Sequence, residues 1–170
     1  MKQLLFSTAL FLSLVACGQA DKSKRPSPPA SAKETIKSGA VISIDYSQPS
    51  VKGRIIGKDL EPMEGKVWRA GANEATIFEV SKDVKVEDQA LPAGQYGFFT
   101  IMNGEVWTLI FSKTAKQWGA FSYKEADDAL RVKVKAGKTK EFAEKLTYTI
   151  DKSGKVSLMW GDKQVDFKVK

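Results

Sequence analysis

From Ala40 onward the apolar residues of this chain recur at every second position, and that pattern restricts it to sheets with one buried and one wet face. The alternation is clearest in the last third. Leu130, Val132 and Val134 point one way, and Arg131, Lys133 and Lys135 the other. Leu146, Tyr148 and Ile150 alternate with Thr147 and Thr149. Val156, Leu158 and Trp160 form the next set, and Val165, Phe167 and Val169 the last. Asp151-Lys152-Ser153-Gly154 and Gly161-Asp162 read as the turns between them. Earlier, Val41-Ile42-Ser43-Ile44 and Thr76–Val80 have strand composition. Leu91-Pro92-Ala93-Gly94-Gln95 is a turn feeding Tyr96–Met102, and Asn103-Gly104 separates that run from Glu105–Ser112. Two β-runs joined by Asn-Gly are a strong hairpin signal. Only Tyr123–Ala129 has the look of a helical turn. Roughly nine or ten strands follow. They predict an all-β antiparallel sandwich of jelly-roll or Greek-key type, with a closed barrel as the alternative. Residues 39–170 form one domain, large enough to bury a core without cross-links.

The first 38 residues do not share this pattern. Lys2 precedes an apolar run from Leu4 to Val15, and Leu14-Val15-Ala16-Cys17 ends it. A charged start, a short apolar stretch and small residues before the cut describe a signal peptide over residues 1–16. The run is too short to span a membrane, which takes about 20 residues. A cysteine directly after the small residues resembles the lipobox of bacterial lipoproteins. The resemblance implies that Cys17 is lipidated and becomes the first residue of the mature chain. Residues 17–38 are poor in apolar groups and carry Pro26, Pro28 and Pro29, which predicts a disordered tether. Cys17-Gly18-Gln19-Ala20-Asp21 partly resembles the tag that sends some lipoproteins to the outer face. The expected location is the cell envelope, on the outer membrane, with the membrane itself a partner through the lipid.

Composition removes several chemistries. Cys17 is the only cysteine and there is no histidine. Disulfides, thiolate catalysis, zinc hydrolysis and Ser-His-Asp triads are therefore excluded, and no metal or cofactor site is predicted. The net charge of +7 suggests nucleic acid until it is mapped. Without residues 1–16, about half the excess lies in Lys22, Lys24, Arg25, Lys33 and Lys37. A basic tether favours anionic headgroups. The folded part is only mildly basic, so no nucleic-acid partner is expected.

The least strand-like stretch is Trp68-Arg69-Ala70-Gly71-Ala72-Asn73-Glu74-Ala75-Thr76. Gly71 suits a positive φ or a close backbone approach, and Asn73 suits an Asx turn. Small neighbours leave Arg69, Asn73 and Glu74 room to gather around a ligand. The competing reading pairs Arg69 and Glu74 with each other or with Asp45. Arg54, Arg69 and Arg131 stand out because the basic residues are overwhelmingly lysine. Arginine is favoured where a planar fork must be held, whether by a ligand or by Glu74, Glu125 or Asp127. Trp107 and Trp160 read as core. Trp118 follows a Lys-Thr-Ala-Lys loop and is placed to stack on a sugar ring with Tyr123 and Tyr46 as helpers, or else to plug one end of the sandwich. Asp127-Asp128 reads as a solvated turn.

Several motifs in order resemble the DUF2911 family of bacterial domains of unknown function. They are Lys66–Thr76, Leu91–Phe99, and the run from Trp107 through Ile110-Phe111 to Gln117-Trp118-Gly119 and Leu130-Arg131-Val132. Tyr46-Ser47-Gln48-Pro49 with Gly53-Arg54 also fits. The resemblance covers residues 40–170. It implies a secreted or lipid-anchored envelope protein and brings no activity with it.

Three functions remain. The first is a lipid-anchored module that binds a saccharide or an envelope protein. The second is a glycoside-acting enzyme using Glu74 with Asp45, Glu125 or Asp127, whose carboxylates would have to come within about 5–10 Å. The third is an assembly component without a small ligand. The binding module is the reading carried forward, with no catalytic residue assigned.

Overall fold

The computed structural model describes residues 21–170, and Cys17 with the expected signal peptide lies outside them. The strands are β1 (Pro29–Thr35), β2 (Val41–Ser47), β3 (Val67–Trp68), β4 (Thr76–Val80), β5 (Val84–Val86), β6 (Gln89–Leu91), β7 (Gly94–Asn103), β8 (Val106–Ser112), β9 (Asp128–Ile150) and β10 (Lys155–Lys168). Short 3-10 turns occupy Lys22–Lys24 and Glu125–Asp127, the latter inside the stretch expected to turn.

The main sheet runs β1-β2-β4-β7-β8-β9-β10, with β3 on the end of β7 and β5-β6 as a separate hairpin. Every pairing between these strands is antiparallel. Neighbours follow chain order, a simpler path than a Greek key. The second layer arises because β9 changes partner along its length. Asp128–Lys135 pairs with β8, and Ala136–Ile150 pairs with β10. Two register irregularities between Met159 and Lys163 let the long ribbon bend. Its end folds back over the sheet: Tyr148 meets Tyr46 at 4.8 Å, and Phe167 lies 5.9 Å from Phe98. The result is the all-β, sandwich-like architecture that the alternation predicts.

Three local expectations shift. Gly161-Asp162 is not a turn. Gly161 sits at φ 62 as a bulge inside β10, and Thr139 Oγ1 donates to its carbonyl. The hairpin after β7 is displaced by one residue: Asn103 still pairs with Val106, so Gly104 and Glu105 form the loop. Only Gly104 has positive φ, the requirement of a II′ turn. The disordered tether is the largest correction. Residues 29–35 form an edge strand in seven-residue register with β2, and the Gln48 N–H donates to the Pro28 carbonyl. Ala30 and Ala32 pack against the core, so small alternating residues do the work of larger ones at an edge. Pro29 is the first residue of the strand, a position where a missing N–H is tolerated.

The inner face joins Ile42 and Ile44, Phe78, Phe98, Leu109, Phe111, Val132, Leu158 and Phe167 in one core, all at or near zero exposure. Each such side chain contributes about 1.5–3 kcal/mol relative to leaving it in water. A smaller cluster of Ala75, Phe99 and Ile110 lies on the outer face of β7 and β8.

Candidate functional site

The Trp68–Thr76 loop is held from beneath. Ala70 and Asn73 both adopt left-handed φ, 51 and 56. Asparagine tolerates that region, whereas alanine does so at a cost of about 1–2 kcal/mol. The Ala70 carbonyl accepts from Tyr148 Oη at 2.7 Å and Thr76 Oγ1 at 2.9 Å, which fixes the turn to the core. Burial first, and the neighbouring Tyr46 second, push the Tyr148 hydroxyl well above its usual pKa, so it stays a donor. Trp68 Nε1 donates to the Gly71 carbonyl. Gly71 needs its missing side chain for close approach: a Cβ there would lie 2.7 Å from Thr76 Oγ1. Tyr148→Phe is expected to lower stability by about 1 kcal/mol, read as a shift of the urea midpoint at unchanged slope.

This braced turn sets Arg69 into a cavity of about 190 Å³ shared with Arg54, Trp68, Trp160, Leu60 and Glu61. Arg69 is half-buried, and its Nε is wholly buried with no hydrogen-bond partner. It makes no ion pair among the described residues. Desolvation lowers its pKa, and the charge of Glu61 opposes that. Arg54 is oriented by backbone: its Nε donates to the Val51 carbonyl at 3.0 Å and its Nη2 to that of Ser50 at 2.8 Å. Both guanidinium groups thus line one cavity without a carboxylate bonded to either.

Asn73 and Glu74 face a different partner. Asn73 Nδ2 donates to the Ser27 carbonyl. Glu74 accepts both its bonds from Arg25 Nη1, at 2.8 and 3.0 Å, and pairs with Lys22 at 3.0 Å. Desolvation works against its charge. Its own backbone N–H, Arg25 and Lys22 outweigh that and hold the carboxyl at about 2. A second cavity of about 360 Å³ opens beside it, lined by Lys22, Asp45, Ala75, Ile77, Lys116 and Gln117 among others. The loop after β8 closes this region. The Ala75 N–H donates to Gln117 and the Gly119 N–H to Asn73, so Glu74 and Trp118 pair as a two-residue bridge.

Arg131 anchors the far end of the same loop. Its Nε donates to Asp128 Oδ2 and its Nη2 to Tyr123 Oη, both at 2.6 Å, and Nη1 pairs with Glu125 at 3.1 Å. Tyr123 Oη donates to Asp128 in turn, and its ring packs 5.1 Å from Phe99. Burial, then the bond to Asp128, pushes the Tyr123 hydroxyl up to about 12.

The family described as "Protein of unknown function (DUF2911)" matches residues 27–169. This chain is a DUF2911 protein. The match begins two residues before β1, so the edge strand belongs to the DUF2911 domain and the boundary expected at residue 39 moves towards the N-terminus. No curated protein matches the chain. No solved structure matches it either.

The residues singled out in the sequence therefore fall into three places on the DUF2911 fold. Arg54 and Arg69 share a cavity. Asn73 and Glu74 are occupied by the segment 22–27, and the expected gathering of Arg69, Asn73 and Glu74 around one ligand does not occur. Arg131 and Tyr123 form an internal brace with Glu125 and Asp128. Asp128 is itself mostly buried, not the solvated turn expected of it. Trp118 is 57 % exposed, but its expected helpers are elsewhere, Tyr46 at the core and Tyr123 against Phe99. The carboxylates considered for glycoside chemistry divide likewise. Asp45 and Glu74 share the larger cavity, whereas Glu125 pairs with Arg131 and Asp127 accepts from Thr114. With its carboxyl at about 2, Glu74 has no proton to give a leaving group at neutral pH. Arg25 and Lys22 were missed as structural partners because they lay in the presumed tether. The arginine-for-lysine signal that marked Arg54, Arg69 and Arg131 applied equally to Arg25.

Proposed function

We propose that this DUF2911 protein is a lipid-anchored binding module of the cell envelope that holds the anionic group of an envelope component at Arg54 and Arg69. One observation carries the reading: the unpartnered Arg69 guanidinium in a walled cavity. A buried polar group without a partner is destabilising by about 1–3 kcal/mol, more when charged, and such a group in a native fold needs an explanation. An incoming oxyanion offsets that cost by neutralising the charge and accepting two parallel bonds from the terminal Nη groups, which bond no acceptor among the described residues, while Nε stays wholly buried beyond its reach. Trp68 and Trp160 give the cavity apolar walls suited to the body of a sugar or peptide, with the charge at one end. The signal peptide and the lipobox-like Cys17 support an envelope location, on the outer membrane by the residues that follow.

The test is tryptophan emission of the mature protein titrated with glucuronate, N-acetylmuramate and inorganic phosphate. Trp68 and Trp160 line the cavity, so occupancy is expected to change their emission saturably. Arg69→Gln is expected to weaken the response about tenfold, and Trp118→Phe to leave it unchanged. A panel that produces no response, or a response that Arg69→Gln leaves intact, overturns the assignment.

A further inference from the structure

The loop between β8 and β9 carries two of the three exposed large aromatics among the described residues, Phe121 at 86 % and Trp118 at 57 %; the third, Phe142 on β9, stands alone at 61 %. The two on the loop sit together. Gly119 has φ 65, and a Cβ on it would lie 2.9 Å from the Phe121 ring, so the ring lies over the glycine next to Trp118. The Arg131–Tyr123–Asp128 brace and the Glu74–Trp118 bridge hold both ends of the loop against the sheet. These aromatics are therefore presented by a fixed scaffold. Within the same loop Lys113, Lys116 and Lys124 are exposed, and its acidic residues, Glu125 and Asp127, fall at the β9 end, where Glu125 pairs with Arg131 and Asp127 accepts from Thr114.

The N-terminal segment ends at this face. Lys22 and Lys116 line one cavity, and Lys22 and Arg25 are ion-paired to Glu74, whose backbone bridges Trp118. Only three residues lie between Asp21 and Cys17, and those four residue steps reach at most about 14 Å. A lipid on Cys17 would therefore keep the loop within a few side-chain lengths of the bilayer.

We propose that the Trp118–Phe121 loop docks on the surface of the anionic bilayer that holds the anchor. The inference rests on the lipidation of Cys17. Trp and Phe insert at the headgroup boundary while lysines stay in the charged layer, and each lysine near an anionic surface adds about 1 kcal/mol. A basic, aromatic-tipped loop thus supplies a second membrane contact beside the lipid, and it fixes the orientation of the domain.

The fluorescence of the full lipidated protein tests this in phosphatidylglycerol–phosphatidylethanolamine vesicles containing a lipid spin-labelled near the headgroup. Trp68, Trp107 and Trp160 are buried, so quenching by the label reports Trp118. Docking predicts quenching that Trp118→Phe removes while flotation with the vesicles persists. It also predicts at least a twofold fall in that quenching for the triple variant Lys113→Glu, Lys116→Glu, Lys124→Glu. Flotation without quenching of Trp118 overturns the docking and leaves the anchor standing. A Trp118 signal that follows protein density and ignores the lipid label overturns it in favour of a second copy of the chain. A Cys17 peptide without acyl mass overturns the anchored reading on which the docking rests.

Discussion

Phe98→Ala is expected to destabilise the domain by about 3–5 kcal/mol, the range for removing a large aromatic from a closed core. Phe98 has no exposure and lies 5.2–6.3 Å from Phe111, Phe78, Phe167 and Tyr148. These rings come from β4, β7, β8, β9 and β10, so the cavity would open where the two layers meet. Rings held by both sheets cannot all move inward to fill it, which keeps the loss near the upper part of the range. The consequence extends to the candidate site. Tyr148 packs edge-on against Phe98 and holds the Ala70 carbonyl, next to Arg69. Molecules that remain folded should therefore respond less to the anionic panel. Urea unfolding gives the first number, as a lower midpoint at unchanged slope. Phe142→Ala, on a side chain 61 % exposed, should change stability by no more than about 0.5 kcal/mol. Equal effects from the two substitutions would show that the layers do not meet at Phe98.

The inner face was legible in the sequence where burial follows the period of two, most clearly at the β8-pairing end of β9, whereas β7 and β8 are buried on both faces along much of their length. Val132, Tyr148, Leu158 and Phe167 fall on the predicted side, and Trp107 and Trp160 are buried as their runs suggested. What could not be read was where the chain stays extended despite weak patterning. Ala136 to Lys145 carries small and charged residues, so one 23-residue strand looked like two. Its continuity comes from pairing with β10, a long-range contact with no local signature. The edge strand failed for a related reason. Pro-Ala-Ser-Ala-Lys has the composition of a linker, and only the ladder to β2 makes it a strand. The candidate site was legible by residue type and illegible by grouping. Arginine among lysines marked groups that must be held, yet nothing in the spacing separated Arg69, left without a partner, from Arg131, braced by Asp128 and Glu125.

Glu74→Gln is expected to release the segment from Lys22 to Pro28 at neutral pH, exposing the bonds after Lys22 and Lys24 to trypsin. The carboxylate is the only acidic group bonded to both Lys22 and Arg25 among the described residues. Its folded value of about 2, against an ordinary 4.5, fixes the sign of the pH dependence. A carboxyl depressed in the folded state stabilises above its unfolded value, and the contribution disappears as pH falls from about 4.5 through about 2. The undiscounted linkage would be near 3 kcal/mol. The side chain is 38 % exposed, so solvent screening reduces it to about 1–2 kcal/mol, a factor of roughly 5–30 in the open population. Amide exchange at Lys24 and Arg25, corrected for intrinsic rates, should rise through that acid range in the native protein and be fast at every pH in the variant. The β1 amides, held by the ladder to β2, should keep their protection in both. Unchanged protection at Arg25 in Glu74→Gln would mean that Asn73 and the backbone alone dock the segment. The effect bears on the anchor as well. With the segment docked, three residues link Asp21 to a lipidated Cys17; with it released, the free chain runs to Pro28 and its reach grows from about 14 to about 40 Å. Glu74 would then set how far the aromatic loop can leave the bilayer, and Glu74→Gln should lower the quenching of Trp118 in vesicles without reducing flotation.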